Sequence, residues 1–126
     1  MRTWISLGTT AGVLAAMVST FAFADAASNA MFQTEVDVTN KVADICAANR
    51  DNCAKLGKEL DALISANAAK IKSFRTFAKN MTPTQKADFK KNYASKVQDA
   101  TNRMRPALTT CQGDRQVRTA MKKFND

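Results

Sequence analysis

Histidine is absent from this 126-residue chain. That removes the commonest general base, the commonest zinc ligand and every Ser-His or Cys-His nucleophile pair. Glycine and proline are scarce: past residue 26 only Gly57, Gly113, Pro83 and Pro106 remain. A many-stranded sheet needs more turn residues than that. There is no Gly-rich phosphate loop and no CxxC pair. The acidic residues do not converge. Asp37, Asp44 and Asp51 stand seven apart, with Lys41 and Lys55 four residues beyond Asp37 and Asp51, the spacing of a solvated, salt-bridged helix face. Met31, Met81, Met104 and Met121 are scattered, unlike a copper site. The expectation is a non-enzyme with no catalytic residue, no metal ligand and no cofactor.

What is present begins with an export signal. "MRTWISLGTTAGVLAAMVSTFAFADA" places Arg2 before an uncharged stretch from Thr3 to Ala24, then small residues in the A-x-A pattern at Ala22–Ala24 and Ala24–Ala26. Gly8, Gly12 and several Ser and Thr dilute the run, which favours a cleaved signal peptide over a membrane anchor. Residues 1–26 are read as that signal peptide and residues 27–126 as a single helical domain, periplasmic or secreted. No later segment is apolar enough to span a bilayer, so no transmembrane segment is expected after cleavage. In an oxidising compartment cysteines are disulfide candidates first.

Helix punctuation is visible in three places. Thr34-x-x-Asp37 resembles a capping box that opens a helix. "TPTQ", Thr82–Gln85, supplies an N-cap, a proline at the first helical position and a Gln three residues beyond the cap. "QGD", Gln112–Asp114, places Gly to end one helix and Asp to cap the next. Helical segments are expected over about 34–79, 83–111 and 115–124, with "AANRDN" (47–52) a weak point in the first. Apolar residues recur every three or four positions, along Val42, Ile45, Cys53, Leu56, Leu60, Leu63, Ile71 and Phe74, then along Phe89, Tyr93, Val97, Ala100, Met104, Leu108 and Cys111.

Folding the two long segments back antiparallel about residue 81 or 82 pairs positions whose numbers sum to about 163 or 164. Leu56 then meets Leu108, Leu60 meets Met104, Leu63 meets Ala100, Ile71 meets Tyr93, and Phe74 meets Phe89. The same register brings Cys53 to Cys111, closing a loop worth on the order of 4 kcal/mol in the chain-entropy model. It also places Gly57 opposite Pro106. Cys46–Cys111 is the alternative pairing. Cys46 and Cys53 cannot bridge within one helix, since seven residues rise about 10.5 Å and a disulfide needs Cα atoms within roughly 7 Å; they could pair only if 47–52 were a loop. Cys46 is left as the free thiol: a buried apolar residue, an intermolecular disulfide or a reactive site. The fold expected is all-α, an antiparallel helical hairpin extended to a small three- or four-helix bundle and stapled by a disulfide. A break at 47–52 favours a compact monomer, and an unbroken helix a homodimer of paired hairpins.

Charge is uneven. Lys70, Lys72, Arg75, Lys79, Lys86, Lys90, Lys91 and Lys96 lie between residues 70 and 96 with only Asp88 against them, while the whole chain carries +8. In the hairpin this span is the tip. It is either a solubilising surface or a contact for an anionic envelope component or an acidic protein. Nucleic acid would call for exposed aromatics among those cations. Phe74, Phe89 and Tyr93 belong to the apolar stripe, and only Phe77, at its edge, is left for stacking.

"MTPTQKADF", Met81–Phe89, resembles the "LTPEQ" turn-and-cap element of the Spy and CpxP family of small periplasmic proteins. The resemblance covers nine residues, and a second copy of the motif is missing. It implies a helical protein that holds unfolded polypeptides on a concave surface. The functions weighed are a binding protein acting through its basic tip, a chaperone of that kind, and an inhibitor or immunity-type protein for one target.

Overall fold

In the computed structural model the backbone is described for residues 11–126 and side chains for residues 26–126. The expected signal peptide, apart from Ala26, lies outside the residues described with side chains. The chain divides into two compact units, Met1–Met31 and Phe32–Asp126, and the second holds the hairpin, the disulfide and the core.

Every element among the described residues is helical: α1 (Ala11–Ala48), α2 (Cys53–Ala66), α3 (Ala68–Lys79), α4 (Pro83–Asn92), α5 (Ala94–Thr110) and α6 (Arg115–Asn125). The all-α hairpin expected from the sequence is present, with α2 and α3 as one arm, α4 and α5 as the other, and the turn at residues 80–82. The Thr82 hydroxyl accepts from the Gln85 N–H at 3.1 Å, and the Thr82 N–H donates to Gln85 Oε1 at 2.9 Å, closing a full capping box with Pro83 at the first helical position. At the far end Cys53 and Cys111 form the disulfide, their Cα atoms 5.3 Å apart.

The weak point in "AANRDN" is a true break, because two asparagines satisfy the helix ends it exposes. Asn49 Nδ2 donates to the Ile45 carbonyl at 2.9 Å, and Asn52 Oδ1 accepts from the Lys55 N–H at 3.1 Å. Thr34 does not open a helix. It lies inside α1, since residues 13–33 hold no glycine or proline to stop helix propagation. Two further breaks, at Asn67 and Tyr93, divide the hairpin arms. At Asn67 the Leu63 carbonyl accepts twice, from the Asn67 N–H at 3.0 Å and from the Asn67 Nδ2 at 2.8 Å. Gly113 does not adopt positive φ, so the expected glycine cap is unused. Arg118 Nη1 instead donates to the Gln112 and Gly113 carbonyls, at 3.2 and 2.7 Å, and Asp114 caps α6 by accepting from the Val117 N–H at 3.0 Å.

The hairpin arms do not close directly on each other along their length. Instead α2 packs against α6. Gly57, expected opposite Pro106, faces α6: a Cβ there would lie 2.9 Å from Gln116 Cβ and 3.2 Å from the Val117 nitrogen. Pro106 is exposed. Gly57→Ala gains about 1 kcal/mol of helix propensity but forces α6 outward, an overpacking cost of about 1–3 kcal/mol. The expected outcome is a net loss of stability, read as a lower urea midpoint; a raised midpoint would mean that α2 and α6 have room to spare.

The main core runs from Val38, Val42 and Cys46 of α1 through Leu56, Leu60 and Ile64 of α2 to Met104, Ala107 and Cys111, and is closed by Val117 and Ala120 of α6. Two charged contacts tie the flanking helices to the arms. Arg103 donates to Asp44 at 2.8 Å and to Asn40 at 2.9 Å, and Lys123 reaches Asp61 at 3.1 Å. The partner of Asp44 is therefore Arg103 on α5. The i+4 pairs expected along the acidic line are replaced by others: Asp37 accepts from Gln33 Nε2 at 2.8 Å, and Lys55 reaches Glu59 at 3.9 Å.

Candidate functional site

At the tip the packing changes character. Phe32, fully buried on α1, sits among rings from both arms: Phe77 at 5.6 Å edge-on, Phe89 at 5.1 Å and Tyr93 at 5.2 Å. Phe74 joins Phe77 and Phe89 at 6.2 and 6.3 Å. The Phe74–Phe89 contact fits the register read from the sequence. The cause of the splay was not legible there: an aromatic side chain of α1 stands between α3 and α4. Phe77, the one ring left for stacking, is engaged edge-on by Phe32.

Around this aromatic knot stand the cations. Lys70, Lys72 and Lys79 on α3, Lys86, Lys90 and Lys91 on α4, and Lys96 on α5 are all exposed. Their spacing follows from the knot: the inward positions of α3 and α4 are taken by Ile71, Phe74, Phe77 and Phe89, so the lysines fall on the outer faces. Lys79, Lys90 and Lys91 lie in the last turns of their helices, where positive charge favours the helix dipole. Lys96 Nζ is 5.7 Å from the Tyr93 ring centroid, within cation–π reach.

Arg75 does not belong to this set. It is half-buried, and its guanidinium donates to the Lys123 and Phe124 carbonyls, the latter at 2.8 Å. It caps the C-terminal end of α6 and ties that helix to α3. Sequence spacing could not separate Arg75 from the lysines, because its partners are backbone atoms 48 and 49 residues away.

Glu35 and Cys46 are the groups whose acidity the fold changes. Burial raises the Glu35 carboxyl above its ordinary value, while the nearby Thr39 hydroxyl and Arg75 offset part of the rise. Burial also pushes the Cys46 thiol up to about 11. Cys46 is the free cysteine and is fully buried, which fits a small apolar core residue and leaves no sulfur surface for an intermolecular bridge. In the native protein Cys46 should resist iodoacetamide at pH 8 and react fully in denaturant. Because folding raises its pKa from an ordinary 9.0, its contribution to stability is complete below that value and fades as pH rises through about 11. Cys46→Ala should remove that alkaline slope from a pH series of urea midpoints. Rapid native labelling would contradict the buried assignment.

Among the described residues no group of His, Cys, Asp and Glu could hold a metal ion, and no helix is long and apolar enough to cross a membrane. Comparisons with protein-family models, curated proteins and solved structures return no match.

Proposed function

We propose that this is an exported binding protein that uses its hairpin tip to attach to a diffuse anionic surface of the cell envelope. The observation that carries the proposal is the makeup of the exposed cations: seven lysines on α3, α4 and the start of α5, with Arg75 turned inward. Protein–protein interfaces favour arginine and disfavour lysine, because arginine's planar fork locks onto a fixed partner geometry. Lysine is a hydrated point charge on a flexible stem and suits a partner that offers charge density without fixed geometry. Anionic lipid headgroups and acidic envelope polysaccharide both fit. The disulfide agrees with an oxidising compartment.

The test is co-sedimentation with vesicles of phosphatidylglycerol and phosphatidylcholine, with a polyuronate gel as a parallel arm. Each lysine near an anionic surface contributes about 1 kcal/mol at moderate salt. Replacing Lys72, Lys79, Lys90 and Lys91 by Gln should therefore weaken binding on the order of a thousandfold, with circular dichroism unchanged. Arg75 is left in place because its loss would release α6. Equal binding by this variant and the natural protein would refute the proposal.

A further inference from the structure

A groove of about 410 Å³ lies between α1, α5 and α6. Its apolar wall is made by Val97, Met104 and Leu108 of α5 with Met121 and Phe124 of α6. Of these only Met104 is buried, and the other four keep part of their apolar surface in water. A second groove of about 330 Å³ adjoins it through Glu35, Phe124 and Asn125. Volumes of this size fall within the range of small-ligand sites, about 300–1,000 Å³.

Charge along the two grooves is mostly positive. Arg105 lines the first, and Arg75 and Lys79 line the second. The one carboxylate in either lining, Glu35, is already engaged by the Thr39 hydroxyl and the Arg75 charge. Arg75 in turn spends its hydrogen bonds on the end of α6. That leaves Arg105 and Lys79 without an anion: both are exposed, and neither side chain makes an ion pair or hydrogen bond among the described residues. Thr109 stands four residues beyond Arg105, on the same face of α5, and lines the first groove with it. A helical threonine can return its hydroxyl to the carbonyl four residues back, as Thr101 does to Val97 at 2.9 Å in this same groove. Thr109 makes no such bond among the described residues, so its hydroxyl is left to donate outward. A guanidinium and a hydroxyl, one helical turn apart, thus border an apolar wall.

We infer that this groove binds a free fatty acid, its carboxylate held by Arg105 and Thr109 and its single chain laid against Leu108, Met121 and Phe124. Charge complementarity sets the head group. A carboxylate takes two parallel N–H donors from the guanidinium fork and a third bond from the Thr109 hydroxyl. An ammonium would meet Arg105 and Lys79 and find Glu35 engaged. The chain follows from the wall, because the half-buried apolar surfaces of α5 and α6 leave water together with it. A groove of this volume takes one chain, which separates a fatty acid from a two-chain lipid.

The experiment is a ¹⁵N NMR titration of the purified protein with octanoate, octanol and octylammonium below their aggregation limits. Octanoate should bind about tenfold more tightly than octylammonium, with shifts concentrated along α5 and at the end of α6. Arg105→Gln should bring the two ligands to within about threefold of each other while keeping octanol binding. Lys58→Gln removes the same charge from an exposed position on α2, outside both grooves, and should leave the octanoate preference intact. Octylammonium binding as tightly as octanoate, shifts confined to other faces, a preference undiminished in Arg105→Gln, an equal loss in Lys58→Gln, or no binding at millimolar concentration would each overturn the inference.

Discussion

Replacing Cys53 and Cys111 together by alanine will lower the stability of the protein by about 4 kcal/mol, the chain-entropy value for a bridge between residues 58 apart. For a domain near 100 residues, each kcal/mol moves the thermal midpoint by about 4–8 °C. The midpoint should therefore fall by roughly 15–30 °C, and adding reductant to the natural protein should reproduce most of the shift. The effect is large because total stability in such a domain is only about 5–15 kcal/mol. The bridge also fixes the end of the hairpin at which α6 turns back onto α2. Cys111 is buried, so part of the loss will come from packing. A drop of less than about 1 kcal/mol would mean that the end of the bundle is held by α6 alone.

Phe32→Ala should be comparably damaging, with a loss of about 3–5 kcal/mol, the range for deleting a fully buried aromatic ring. Phe32 is the shared neighbour of Phe77, Phe89 and Tyr93, so its removal leaves three rings facing a void. The consequence should be local as well as global. Hydrogen exchange is expected to quicken in α3 and α4 more than in α2 and α6, whose packing rests on the separate main core. Phe32→Leu should recover roughly half the loss. If alanine costs less than 1 kcal/mol, the aromatic knot does not organise the tip.

The elements that rest on local chemistry were legible in the sequence. The capping box at Thr82 and Gln85, the Asp114 cap, the break inside residues 47–52 and the turn at 80–82 each need only a few neighbouring residues. The register that joined Cys53 to Cys111 also followed, because two apolar stripes and one turn leave little freedom in how a hairpin closes. Local chemistry misled at Thr34, which lies inside α1, and at Gly113, whose left-handed cap is unused, and the breaks at Asn67 and Tyr93 carried no turn residue. The choices of neighbour did not follow either. Periodicity shows which face of a helix is apolar but not which helix covers it. Gly57 was set against Pro106 when its close contact is α6, and Arg75 was grouped with surface lysines when it caps that same helix.

The site proposed for the envelope contact depends on this geometry in one respect. The aromatic knot turns the apolar faces of α3 and α4 inward, and the lysines of both helices are then left outward around the turn. Charge at the tip is thus a by-product of how the hairpin packs on Phe32, and the two can be tested separately by Phe32→Leu and by the lysine-to-glutamine variant.

The most direct measurement is a ¹⁵N NMR titration of the natural protein with phosphatidylglycerol nanodiscs at low and high salt. The expected result is line broadening concentrated in residues 70–96, reversed as salt is raised. Broadening that centres on α2 and α6, or that persists unchanged at high salt, would contradict an electrostatic contact through the tip.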